Sequence, residues 1–131
     1  MDLTGIIIQE SLADTSALNS IKIQSTKVVA VTPEHKTPWL TQWTMHTIAV
    51  PAASAAKFAN ALSAAFDTAH KSSWYADFKN DTEHYIVYPH KVFRITDRSS
   101  RAQYDQATQY GIALGIPAYQ VDFSPHVIDW Q

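Results

Sequence analysis

The sequence predicts one α+β domain with a ferredoxin-like βαββαβ order, an antiparallel sheet with two helices on one face and extra N-terminal strands. Three observations predict it. The chain has 131 residues, of which 46% are hydrophobic, so it is long enough to bury its own core. Apolar residues recur with a helical period in two segments, residues 55–69 and 104–114. Segments rich in β-branched and aromatic residues flank both of them.

The first third of the chain, residues 1–42, is predicted to be a strand extension that pairs onto an edge of the sheet. Residues 5–9 form a short β-prone run, and residues 14–18 fit one helical turn capped by Asp14 or Ser16. Residues 21–31 favour a second strand. Its alternation slips near Ser25, which predicts a bulge or a bend. Two Thr-Pro dipeptides then bracket a loop.

The core, residues 43–123, opens with a strand over residues 43–50, followed by the clearest helix of the chain. One face of the strand carries His46, Ile48 and Val50. Pro51 ends the strand and starts the helix, where its missing N–H costs nothing. The apolar stripe of the helix consists of Ala55, Phe58, Ala59, Leu62, Phe66 and Ala69.

Three β segments follow, over residues 74–79, 84–88 and 91–96, joined by turns at residues 80–83 and at Pro89-His90. Ser100 and Gln103 have the spacing of a capping box and predict the start of the second helix. Its buried stripe is Tyr104, Ala107, Gly111 and Leu114, and Gly115 has the place of a C′ residue. Residues 119–123 are a last strand and residues 124–131 a tail. Two helices on one face leave the other face for the N-terminal segment, a second subunit or a ligand to cover.

Composition excludes several kinds of chemistry. With three Gly and no Cys, the chain has no glycine-rich phosphate loop, disulfide, thiolate nucleophile or Cys-ligated metal. The formal net charge of −2 provides no overall field for nucleic acid or an acidic membrane. The first five residues have no positive charge, and the apolar run at residues 6–8 is too short for a signal segment. We therefore expect a cytoplasmic protein without cofactor, nucleic-acid or membrane partner.

Three runs resemble a family of small uncharacterised cytosolic proteins of low-GC Gram-positive bacteria, over most of the chain. They are residues 74–80 (WYADFKN), 88–93 (YPHKVF) and 110–117 (YGIALGIP). The resemblance implies a bacterial cytosolic origin. It assigns no function and transfers no catalytic residue.

The six His residues do not predict a metal site, because none has HxH, HxxH or HExxH spacing. A site would have to be assembled from distant segments, for example His46, His84 and Asp77. Asp77 and His84 are expected on adjacent strands, where they would meet across the pair. A carboxylate that orients an imidazole is the start of a general base, but no nucleophile can be identified beside it. The competing interpretation is a polar cross-strand pair.

A local excess of positive charge marks the approach to the second helix. The candidate anion-binding residues are Lys91, Arg94, Arg98, Ser99 and Ser100, followed by Arg101. The alternative is a solvated edge on which Arg98 and Arg101 pair with Asp97 and Asp105. Tyr85 and Phe93 would be the stacking aromatics of an RNA-binding sheet, yet the sequence motif of such sheets is absent.

Trp39, Trp43 and Tyr119 are the candidate interface residues, since exposed aromatic side chains mark contacts between proteins. The leading interpretation is a non-enzymatic binding module that self-associates as a homodimer. The uncovered sheet face is expected near Tyr75, Asp77, His84, Tyr85 and Arg94. The alternative is a small enzyme that uses Asp77 and His84 on that face, with Arg94 or Arg98 holding an anionic substrate.

Overall fold

One antiparallel sheet and two α-helices form the part of the chain that the structure, a computed structural model, describes: residues 2–31, 40–68, 74–116 and 121. The strands are β1 Leu3–Ile8, β2 Lys22–Ala30, β3 Gln42–Val50, β4 Ala76–Lys79, β5 His84–Tyr88 and β6 Lys91–Ile95. The helices are α1 Ala55–Ala65 and α2 Arg101–Ala113. Short 3₁₀ turns cover Gln9–Ser11, Thr15–Ser20 and Ala52–Ser54. No helix within these ranges is long and apolar enough to cross a membrane.

The strand order is β2-β3-β1-β4-β5-β6, and it does not confirm the ferredoxin-like order. A ferredoxin-like core would place β5 between β3 and β4, whereas β1 lies there and pairs antiparallel with both. Gly5 permits the close approach of β1 to β4. A Cβ at Gly5 would meet the Asp77 carbonyl oxygen and lie 2.9 Å from Cα of Phe78. Of the N-terminal strands, β2 alone therefore lies at an edge, as predicted, and β1 is central.

The two helices pack on opposite faces of the sheet, which corrects the prediction that they share one. Helix α1 packs against Phe78, Tyr85 and Val87, and we call that side the α1 face. Helix α2 packs against Ile86, Tyr88 and Ile95, and we call that side the α2 face. Along β5, Ile86 and Tyr88 alternate with Tyr85 and Val87. The physical reason lies in β5, whose five residues are all buried. A strand that is apolar on both faces needs a layer on each.

Most local predictions are confirmed. Ser100 caps α2 by accepting the Gln103 N–H, and Gly115 has the left-handed φ of 93° expected of a C′ residue. A register shift between Ile23 and Ser25 is the predicted bulge of β2. Helix α1 is shorter than predicted. It ends at Ala65, because Phe66 forms a bridge with Leu12.

Candidate functional site

A chain of four hydrogen-bonded side chains links the sheet to α2, and we call it the Asp77 network. Asp77 Oδ2 lies 2.6 Å from His84 Nε2, and His84 Nδ1 lies 3.0 Å from the Tyr104 hydroxyl on α2. Arg98, in the loop before α2, donates its Nε–H to the same hydroxyl at 2.7 Å and also bonds the Asn80 carbonyl oxygen. The predicted meeting of Asp77 and His84 is therefore confirmed. Sequence reasoning missed Tyr104, which it assigned only to the buried stripe of the helix.

The hydrogen-bond partners of His84 indicate which of its ring nitrogens carries the proton of the neutral imidazole. Arg98 donates to the Tyr104 oxygen, so the Tyr104 O–H is free to donate to Nδ1 of His84. The remaining ring proton then sits on Nε2 and is donated to Asp77. Burial lowers the pKa of His84, and the Asp77 carboxylate opposes that effect without overcoming it. The imidazole is therefore neutral at pH 7 in the folded protein, and both of its ring nitrogens are hydrogen-bonded.

The same network is closed to a substrate. His84 is 1% exposed and Asp77 5% exposed. Both ring nitrogens of His84 already have partners, so neither is available to abstract a proton from a bound molecule. Burial also raises the pKa of Tyr104, which keeps its hydroxyl protonated. The geometry supports the polar-pair interpretation, in which the network holds α2 on the sheet.

The candidate anion-binding residues do not converge. Lys91 and Arg94 point to opposite faces of β6, with Lys91 over the Phe93 ring and Arg94 over the Tyr85 ring. Arg94 also pairs with Glu83, and Arg98 is turned into the Asp77 network. Ser99 donates its hydroxyl and its N–H to Asp97.

The loop before α2 is organised by its own residues. Asp97 accepts two hydrogen bonds from Ser99, which lowers the pKa of the Asp97 carboxyl. Ser100 caps the helix, and the Gln103 side chain accepts the N–H groups of Thr96 and Asp97. The predicted capping box thus has only its Ser100 half, because Gln103 reaches further back along the loop. The side chains of this loop therefore stabilise the turn that precedes α2; they are Asp97, Ser99, Ser100 and Gln103.

The other predicted constellations are separated by the sheet. His46 lies on the α1 face and His84 on the α2 face, and no group of three His, Asp or Glu side chains in the described ranges is arranged to hold a metal ion. Tyr85 is buried beneath α1, whereas Phe93 packs on the α2 side, so they form no common stacking surface. The face expected to be uncovered near Tyr85 is therefore covered on both sides of β5.

The predicted interface residues are only partly within the described structure. Trp39 and Tyr119 lie outside the described residues. Trp43 is half-buried, and its ring meets Trp74 edge to face at 5.7 Å between centroids. The Trp43 ring, which was predicted to be exposed for a partner, therefore makes part of its contact within the molecule.

The most accessible feature of the described structure is β2, which the sequence did not single out. All nine residues of β2 except Val29 are exposed, and among the described strands β2 pairs with β3 alone. Ile23 is 41% and Val28 55% exposed, and the third large exposed hydrophobic residue, Ile112, lies far away on α2. A signal existed: residues 22–30 are β-prone and lack the continuous apolar run of a buried strand. We call the side of β2 that faces away from β3 the β2 edge.

No protein-family model matches this chain, and neither a curated protein nor a solved structure matches it. The family resemblance noted above stays a prediction.

Proposed function

We propose that the protein is a non-enzymatic, cytoplasmic binding module that accepts an extended segment of a partner at the β2 edge. The observation that supports this most is the exposure of eight of the nine residues of β2, with no described strand beside its outer edge. Backbone N–H and C=O groups along such an edge can hydrogen-bond an added strand. Ile23 and Val28 supply apolar contacts for its side chains.

The inner edge of β3 provides a contrast that supports the assignment. Beyond the end of β1, the Glu10 carboxylate accepts the Thr44 N–H at 2.6 Å and the Thr44 hydroxyl at 2.7 Å. Glu10 thus takes the place of a neighbouring strand where β1 has ended. Among the described residues no side chain does the same for the β2 edge. The backbone of this edge is left for solvent or for a partner.

The state of the catalytic candidates supports a binding role over an enzymatic one. An enzyme requires a base that a substrate can reach, in a concave site with convergent polar groups. Asp77 and His84 are buried, and both ring nitrogens of His84 are occupied, one by Asp77 and the other by Tyr104. The network is suited to holding α2 in place.

Selection from a random peptide library tests the proposal. Peptides selected on the wild type should lose binding to the variant Val28→Asp and keep it to Ile112→Asp. Ile112 is the matched control, because it is also a large exposed hydrophobic residue but lies on α2. A selection that yields no peptide, or peptides that depend on Ile112 and ignore Val28, would contradict a binding role for β2.

Self-association remains a separate proposal. The predicted homodimer rests on Trp39, Trp43 and Tyr119, and of these the described structure includes only Trp43. Native mass spectrometry of the wild type and of Val28→Asp tests it. A dimer in both proteins would support a contact away from β2, and a dimer lost in the variant would place the contact on β2. A monomer in both would reject the homodimer.

A further inference from the structure

The bulge in β2 places its two large exposed apolar side chains on the same face of the sheet. Ile23 pairs with Ile48, and Val28 pairs with Thr44, so both lie on the α1 face although five positions separate them. In a regular strand an odd spacing would place them on opposite faces. The register shift between Ile23 and Ser25 brings them to the same face. The bond of 2.8 Å between Thr26 Oγ1 and His46 Nδ1 confirms this phase.

The opposite face of β2 is positively charged. Lys22 pairs with Ala49 and Lys27 with Met45, so both lysines lie on the α2 face, and both are exposed. They are the only charged residues of the strand, and their neighbours on β3 carry no charge. The β2 edge therefore carries its two large exposed apolar side chains on one face and its two lysines on the other, where Val29 is half-buried.

We infer that the segment accepted at the β2 edge is an acidic extended peptide of a partner protein. Its apolar side chains would face Ile23 and Val28, and its Asp or Glu side chains would face Lys22 and Lys27. This inference rests on the proposed function and adds the chemistry of the partner. Opposite charges across a strand pair stabilise it, and like charges directly opposite destabilise it.

The same charges disfavour a second copy of this chain as the occupant. Pairing β2 with β2 of another copy brings four lysines to one seam. Pairing β2 with the β6 edge of another copy sets it beside Lys91 and Arg94, and β6 contains no acidic residue. Lysines on an edge strand also oppose its pairing with another basic edge. These features favour a negatively charged strand as the occupant.

Two synthetic peptides of roughly eight residues, an ordinary strand length, test the inference. One alternates Val with Glu, and the other alternates Val with Lys. A third peptide with the composition of the first but with its Val and Glu in two blocks controls for net charge. Amide NMR titration of the full chain should show binding of the Val/Glu peptide with shifts in β2, at least about ten-fold tighter than the Val/Lys peptide, and weakening with salt. The variant Lys27→Glu should reduce or reverse the preference.

Each other outcome overturns a defined part of the account. Equal binding of both alternating peptides at β2 would overturn the acidic partner and leave the binding module standing. Binding of the block peptide as tight as that of the alternating one would show that net charge, and not strand addition, holds the peptide. No shift in β2 with any peptide would contradict the proposed function itself. A concentration-dependent dimer that occupies β2 would make a second copy the occupant.

Discussion

Asp77 and His84 form a buried pair that lies diagonally across β4 and β5, with Oδ2 and Nε2 2.6 Å apart. In register, Asp77 is opposite Ile86, and His84 is opposite Lys79. The pair therefore joins residues two positions apart on one face, a distance that an imidazole spans. Tyr104 and Arg98 extend the contact to α2. Asp77 and His84, the candidate catalytic residues, are thus part of the hydrogen-bonded contact between the sheet and α2.

Replacing His84 should lower the free energy of unfolding more than replacing Asp77. His84→Leu leaves the Asp77 carboxylate buried without its donor and should lower the free energy of unfolding by about 3–5 kcal/mol. Asp77→Leu leaves only a neutral N–H unpaired and should cost about 1–3 kcal/mol. Urea unfolding of both variants and of the double variant measures this. The double variant should cost less than the sum of the two, and an Asp77→Leu cost above that of His84→Leu would contradict the neutral imidazole.

Stability should fall as the pH is lowered from neutrality. The pKa of His84 is below 6.5 in the folded protein, so the unfolded chain takes up a proton near pH 6.5 and the folded chain does not. The free energy of unfolding should therefore drop by up to about 1.4 kcal/mol per pH unit below pH 6.5, until the folded pKa is reached. Lys79 and Arg98 add to the lowering, and Asp77 opposes it.

The exposed His90 supplies the control for the pH experiment. His90→Gln should keep the slope, and His84→Gln should lose most of it. In the wild type, NMR of the ring protons should show the His84 ring still neutral at pH 6.5, because its pKa in the folded protein is lowered. If the His84 ring took up its proton above pH 6.5, the contribution of His84 to the free energy of unfolding would increase as the pH is lowered, which would contradict this prediction.

The turn between β5 and β6 stores a small strain at His90. This residue follows Pro89 and has a φ of 60°, the left-handed region that glycine adopts without cost. We expect His90→Gly to be about 1 kcal/mol more stable than His90→Ala, because only the alanine variant keeps the Cβ in that conformation. Thermal or urea unfolding of the two variants compares them. Equal stabilities would mean that the turn relaxes without cost.

Gly5 should be the least replaceable glycine of the described chain. The Cβ of Gly5→Ala would run into the backbone of β4, so we expect a loss of more than about 3 kcal/mol. Gly115→Ala is the matched control, since no atom lies within 4 Å of its Cβ and only its φ of 93° is unfavourable. It should cost about 1 kcal/mol. Similar losses in the two variants would argue against the close pairing of β1 and β4.

Local elements could be predicted from the sequence, and their arrangement only in part. The β4–β5 hairpin, the bulge near Ser25 and the cap at Gly115 depend on neighbouring residues, and all three are present. The insertion of β1 between β3 and β4 depends on a distant pairing for which Gly5 was the only local sign. A strand's pattern shows which face is apolar, but it does not show which strand will lie beside it.

The candidate site was also predictable only in part. The contact of Asp77 with His84 was predictable from the hairpin, because turn length fixes the register. The contact of His84 with Tyr104 was not, because it requires α2 to lie on the face opposite α1. The apolar run of residues 85–88 in β5 is typical of a strand covered on both faces, whereas the sheet face near Tyr85 was expected to be uncovered.

Hydrogen exchange of the backbone amides, with and without the Val/Glu peptide, tests the central claim most directly. If a partner strand is added at the β2 edge, amides within Lys22–Ala30 should exchange at least about ten-fold more slowly in the complex, since an added strand hydrogen-bonds the outward N–H groups. Amides of α2, Arg101–Ala113, should be unchanged. Protection confined to α2 or to β6, with β2 unaffected, would contradict the account.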